Sequence, residues 1–337
     1  MARALNASAL LSRRLRIQSA GRSIVFFKCK EPKTRIPVDA LMAILDGAEV
    51  KPAQRRDSVR FTCNGLETHI RMTDCDITTY DGLRLDQIIS IRTDVPKLAE
   101  LGLPLLGTVN AFAGLSALVR VGDGFTLASR MPLYRGEAAV PQYVHLIAWT
   151  ALIQSVWLKQ LAQWMTGLRR EMPLPEIPFA DDACLWGVAD FRVVGDLLRA
   201  RHLVTTDGEA GMTSEFPWEP GAMTAVLHQR TSLFELYATK HPFLGNGIIC
   251  KLELPVAFDP EDVAVIAAGM NEGEINATDA APFFGAWRPV QDTGRIAFVA
   301  FQPNLLRSIG MHPSMAMWSM ARSSAAKQLL DDVAGCV

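Results

Sequence analysis

A chain of 337 residues is too long for one ordinary hydrophobic core and suits two domains. Hydrophobic residues make up 49% of it and charged residues 20%, which excludes an intrinsically disordered protein. A formal net charge of −1 gives no overall attraction to nucleic acid or to an anionic membrane.

The charge is unevenly placed. Arg3, Arg13, Arg14, Arg16, Arg22, Lys28 and Lys30 precede the first acid, Glu31. Removing those seven leaves 27 basic against 35 acidic residues, so the remainder carries −8. Residues 1–35 read as a flexible basic leader, with a transit-type presequence as the alternative. The expected compartment is the cytoplasm, or an organelle matrix if residues 1–30 are a transit peptide. The continuous apolar core of a secretory signal is missing from this stretch.

In the first half, Pro37 to Leu45 reads as a short helix. Strand patterns follow at Ser58 to Cys63, Glu67 to Asp76 and Gln87 to Val95, the last rich in β-branched residues. The pattern then predicts a helix over Pro104 to Phe112 and a hairpin, Ala117 to Val121 with Phe125 to Leu133, turned at Gly122-Asp123-Gly124. A long helix from Pro141 to about Leu168 closes the half, with Trp149, Trp157 and Trp164 at helical spacing. This tryptophan stripe reads as core. Its most apolar part, Val144 to Leu158, is shorter than the roughly 20 residues of a membrane span, so no transmembrane segment is expected.

The three prolines of Met172 to Pro178 mark a linker, taken as residues 171–184. The second half repeats the order. It has a helix from Asp190 to Arg201, strands at Met223 to Arg230, Ser232 to Lys240 and Gly247 to Val256, and a helix opening at Asp259-Pro260. A hairpin, Gly285 to Val290 with Arg295 to Phe301, turns at Asp292-Thr293-Gly294, and a last helix starts at Pro313. Ile91 matches Leu252 and Asn110 matches Asn271, both 161 residues on (252 − 91 and 271 − 110). Gly124 and Gly294 differ by 170, and Pro141 and Pro313 by 172. The expected fold is therefore α+β in two tandem modules, residues 36–170 and 185–330. Each is an antiparallel sheet, a three-stranded meander plus a hairpin, packed by helices on one face.

Chemical signatures are few. The chain has no phosphate-binding loop, no dinucleotide fingerprint, no zinc motif and no nucleophile elbow, and its histidines never pair closely. The cysteines, Cys29, Cys63, Cys75, Cys184, Cys250 and Cys336, form no C-x-x-C pair and read as thiols in a reducing compartment. Glu272 and Glu274 are the best carboxylate pair and read as a solvated helix end. No catalytic residue, cofactor or metal is expected.

Several segments of the second half carry a resemblance: Glu215-Phe216-Pro217-Trp218, His241-Pro242-Phe243-Leu244-Gly245-Asn246-Gly247, Leu252-Glu253-Leu254-Pro255, Met270-Asn271-Glu272-Gly273-Glu274, Phe284-Gly285-Ala286-Trp287 and Phe301-Gln302-Pro303-Asn304. With the weaker echo Leu106-Gly107-Thr108-Val109-Asn110 in the first half, the pattern resembles the YbjN and type III secretion chaperone-like superfamily. The resemblance implies a non-enzymatic, chaperone-like or adaptor module that binds another protein without a cofactor. It also implies a monomeric pseudo-dimer or a homodimer. The alternatives are an imported subunit of a larger assembly and an enzyme with a dispersed site. His241, Phe243, Asn246, Trp287 and Asn304 are the expected partner-binding residues, because large and polar side chains stand where turns need only small ones. Phe243, Trp287 and Phe301 pointing into the core is the competing reading.

Overall fold

The computed structural model describes residues 33–78, 84–95, 110, 114–121, 124–137, 140–165, 185–218, 231–241, 244–276, 283–290, 292–304, 307 and 311–334. The leader up to residue 32, the linker and the expected strand at 223–230 lie outside them. So does the expected helix at 104–112, apart from Asn110, which is helical.

The first half folds as α1 (Val38–Gly47), β1 (Ala53–Arg55), β2 (Ser58–Cys63), β3 (Leu66–Thr78), β4 (Arg84–Val95), β5 (Ala117–Val121), β6 (Gly124–Tyr134) and α2 (Val140–Met165). The second gives α3 (Val188–Arg199), β7 (Thr205–Asp207), β8 (Gly211–Pro217), β9 (Thr231–His241), β10 (Gly245–Ala257), α4 (Pro260–Asn276), β11 (Ala286–Pro289), β12 (Arg295–Pro303) and α5 (His312–Ala334). The sheets have the same strand order, β1-β2-β3-β4-β6-β5 and β7-β8-β9-β10-β12-β11, and every pairing is antiparallel. The chain is thus an α+β protein of two similar modules.

Two expectations need correction. The meander has four strands in each sheet, because the three-residue β1 and β7 add an outer edge too short to show periodicity. In the second half β8 lies at Gly211–Pro217, of which only Glu215 to Pro217 are singled out by the sequence, within a motif and not as a strand. Its buried positions are Met212, Ser214 and Phe216, and the serine in the middle breaks the apolar alternation.

Alternation explains most of the rest. In β4, Leu85, Ile89 and Ile91 are fully buried, the last two in the core cluster, and β10 adds Ile248, Cys250, Leu252 and Leu254 to that cluster. Helix α2 packs on β2, β3 and β4, while α5 packs on β9 and β10. The hairpin strands β6 and β12 are buried on both faces along nearly their whole length. Fully burying one large apolar side chain stabilises by about 1.5–3 kcal/mol, so these two strands are the centre of each module's energetics. Gly285 has φ +136°, and a Cβ there would stand 2.5 Å from the Val299 carbonyl oxygen, so the approach to β11 requires glycine.

The modules are joined by a reciprocal exchange. In sheet 1, β5 stops pairing at Ala117 opposite Ala128, and two residues on, Arg130 forms a two-bond bridge with Phe283 of the second half (3.0 and 2.8 Å). In sheet 2, β11 stops at Ala286 opposite Val299, and two residues on, the Phe301 N–H donates to the Gly114 carbonyl of the first half at 3.1 Å. Gly114 and Phe283 each stand three residues before their own edge strand. Each module's lead-in segment therefore extends the other module's sheet, the contact pattern of a two-fold interface drawn within one chain.

Candidate functional site

Strand β9 ends at His241, opposite Gly245, with Asn246 opposite Lys240; further across, Gly247 stands opposite Pro303. This register brings His241, Asn246 and Asn304 to one tip of sheet 2. His241 is 7% exposed, its Nδ1 accepts the Leu244 N–H at 3.2 Å, and its ring lies 4.8 Å from that of Phe301. Asn304 is also buried, and Asn246 is half-exposed. Phe243 lies outside the described residues. Leu244 and Phe301 cluster with Ile153 of α2, so the first module reaches this tip.

Trp287 is elsewhere. It pairs with Phe298, which pairs with Leu252, seven residues along β10 from Gly245, or about 23 Å at the usual rise per strand residue. Its side chain is 2% exposed and belongs to the core. Asn271 on α4 accepts the Trp287 N–H and donates to the Trp287 carbonyl, both at 2.8 Å. The Trp287 indole N–H donates to Glu274 Oε2 at 2.8 Å. Glu274 Oε1 receives Nε and Nη2 of Arg322 at 2.6 and 2.5 Å, and that guanidinium sits 3.8 Å over the Phe298 ring. Arg322 is 5% exposed.

The pair Glu272 and Glu274 is therefore not a solvated helix end. Glu274 is consumed by Arg322 and Trp287, while burial raises the pKa of Glu272 against the pull of Arg120 from the first module. The buried Cys250 thiol is pushed up to about 11, chiefly by desolvation, with Ser319 Oγ at 3.5 Å and the Arg322 charge acting the other way. At neutral pH it is a protonated, inert thiol.

The first module repeats the clamp and changes the seam. Asn110 accepts the Leu118 N–H at 2.8 Å and donates to the Leu118 carbonyl at 3.3 Å. Leu118 and Trp287 each lie one residue into the last strand of their sheets, so the matched asparagines occupy backbone groups that a further strand would otherwise pair. Under α2 the seam is neutral. Gln154 donates to Ser116 and Ser129 (2.7 and 3.0 Å) and accepts from Thr93 (2.9 Å), and Thr68 bonds Thr93 and Ser155. The second-half counterpart of Thr68–Ser155 is Ser232–Ser323 at 2.8 Å, which sets the helix offset at 168 (323 − 155). Matching Pro141 with Pro313 is thus out by four residues, about one helical turn. With that offset Gln154 corresponds to Arg322.

Trp157 is buried, and Trp149 packs against both hydrophobic clusters, as the core reading of the stripe requires. The side chain of Trp164 lies outside the described residues. Cys63, Cys75 and Cys250 are in no disulfide; the other three cysteines are not described. Among the described residues no group of three His, Cys, Asp or Glu side chains could hold a metal ion, and no helix is long and apolar enough to cross a membrane.

Sequence reasoning missed Arg322, Gln154 and the role of Glu274. One signal was available: Arg322 is a lone charge in Met315 to Ala326, a run otherwise apolar or small and polar. No family model, curated protein or solved structure matches the chain.

Proposed function

We propose that the chain is a non-enzymatic, chaperone-like or adaptor protein that binds another protein, built as a pseudo-dimer of two YbjN/type III secretion chaperone-like modules, residues 36–170 and 185–330. In each, the helices cover one face of the sheet. The observation that carries this reading is the reciprocal exchange, in which Gly114 extends the second sheet and Phe283 the first. Such a contact belongs to modules that work as pairs. The most reactive-looking side chains, Glu274, Arg322 and Cys250, are taken up by core packing and hydrogen bonds. That suits a scaffold better than a turnover site. The tip carrying His241, Asn246 and Asn304, with Phe243 beside them in sequence, is the proposed partner contact, and Trp287 steadies β11 from inside.

The test is affinity capture from native lysate with the full chain against Asn246→Ala, checked by mass spectrometry. A partner retained in stoichiometric amount by the wild type and lost by the variant, at unchanged Tm, is the expected result. Zinc, ATP and NAD should leave the Tm where it is. A ligand at a hundred times its Kd adds about 2.7 kcal/mol, so a clear shift with any of them, or no retained protein, would overturn the reading.

A further inference from the structure

Arg322, Arg135, Arg130 and Arg288 are drawn into the fold, and the first three each have a polar partner, although Arg130 Nε, like Arg288 Nε, is buried without one. Arg322 is held by Glu274, and Arg135 is chelated by both oxygens of Asp86, whose side chain is fully buried. Arg130 donates Nη1 to the Ile275 carbonyl at 3.1 Å. Arg288 differs. Among the described residues it makes no ion pair and no hydrogen bond, no aromatic ring lies under its guanidinium, and its Nε is buried without a partner. Burial lowers its pKa, opposed only by the Tyr237 phenol. A guanidinium remains charged throughout the working range of pH, so an unmatched half-buried one is a cost that the fold itself does not recover.

Strand alternation places Arg288 on the face of sheet 2 opposite to Trp287, in one lateral row with Ala297 and Glu253. Two acids of that face are already used, and the third, Glu215, stands across the sheet on β8, where it accepts from Thr231 at 3.3 Å. Glu253 takes Lys251 at 2.8 Å and Arg295 at 3.0 Å, and Glu235 takes Lys251 at 3.0 Å. Among the described residues, Arg288 alone of the three cations of that face (Lys251, Arg288, Arg295) has no carboxylate within ion-pair distance. Tyr237, 38% exposed, offers an aromatic surface on the same sheet.

We propose that this face docks an acidic segment of a partner protein, a carboxylate of which accepts the fork of Arg288 while Tyr237 packs against the segment's backbone. The proposal rests on the protein-binding reading and supplies the partner's chemistry. It is independent of the tip.

The test is fluorescence anisotropy of a labelled hexaglutamate peptide with the full chain, the Arg288→Met and Arg288→Lys variants, and Asn246→Ala. The peptide should bind the wild type and Asn246→Ala alike, more weakly as salt rises. Arg288→Met should lose at least tenfold in affinity, and Arg288→Lys should fall between. Because Arg288→Met deletes an unmatched charge while keeping the stem's volume, its Tm should match or exceed that of the wild type. Equal binding by Arg288→Met, no binding by the wild type at millimolar peptide, or a lowered Tm in that variant would each overturn the proposal. So would tighter Arg288-dependent binding of inorganic phosphate or a DNA duplex. A native partner captured equally by wild type and Arg288→Met would sink the acidic docking face and leave the protein-binding reading standing.

Discussion

The seams under α2 and α5 occupy equivalent places in the two modules and are built from different chemistry. Under α2, Gln154 gathers the hydroxyls of Thr93, Ser116 and Ser129, all neutral and all buried. Under α5, Arg322 lies over Phe298 and is locked to Glu274, which also holds Trp287. The topology is kept by neither set. What both modules share is the asparagine clamp on the last strand and the exchange beyond it. The architecture is therefore fixed at the sheet edge, and the seam is free to vary, provided that every polar group finds a partner.

The sharpest way to break this comparison is to remove one member of the charged seam. Glu274→Ala leaves the Arg322 guanidinium and the Trp287 indole without their acceptor, and should cost about 3–5 kcal/mol in urea unfolding. The neutral seam should be softer. Gln154→Leu frees hydroxyls that can partly satisfy one another, so the loss should be about 1–3 kcal/mol by the same measurement. A larger loss for Gln154→Leu than for Glu274→Ala would reverse the comparison.

The clamps sharpen it from the other side. Asn110→Ala and Asn271→Ala each strip one strand residue of both backbone partners, and each should cost roughly 1–3 kcal/mol. The two values should agree within about 0.5 kcal/mol if the clamps are equivalent, the usual margin for independent sites. A large disparity would show that only one edge depends on its asparagine.

The smallest effect concerns acid. The Arg135 hydrogen bond first, then the Thr34 N–H and the Arg135 charge, hold the Asp86 carboxyl below the usual carboxylate range against the opposing effect of burial. A depressed folded pKa gives stability that is complete above the unfolded pKa, about 3.9, and is lost as pH falls through the folded value. The urea-midpoint difference between wild type and Asp86→Asn should therefore be full at pH 5 and shrink as pH drops below 4. A difference that persists undiminished at pH 2 would contradict the assignment.

Much of this was legible in the sequence, and the reasons are local. β2 matches its expected bounds at Ser58 to Cys63 because Val59 and Phe61 alternate cleanly with polar neighbours. The Asn110–Asn271 match rested on chain spacing alone and proved to mark a shared clamp. The tip residues His241, Asn246 and Asn304 do converge, since strand ends meet wherever register is short. Trp287 was misjoined to them because a sequence shows that a residue lies in a strand but not how far along its neighbour it pairs. The exchange of Gly114 and Phe283, and the idle guanidinium of Arg288, depend on contacts between segments far apart in the chain. No window of sequence contains them.

That distance has a consequence for how the protein is made. Arg130 and Phe283 are separated by 153 residues (283 − 130), and Gly114 and Phe301 by 187 (301 − 114). A ribosome adding about 5–20 residues per second needs on the order of ten seconds or more to emit that length. For that interval the newly made first half has β6 formed and its outer edge beyond Ala128 unclosed, an unpaired row of the kind that recruits other chains. The contact that completes the molecule thus also sets its period of greatest vulnerability during synthesis. A chain truncated before residue 283 should aggregate or be held by cellular chaperones, and supplying the second half in trans should relieve it.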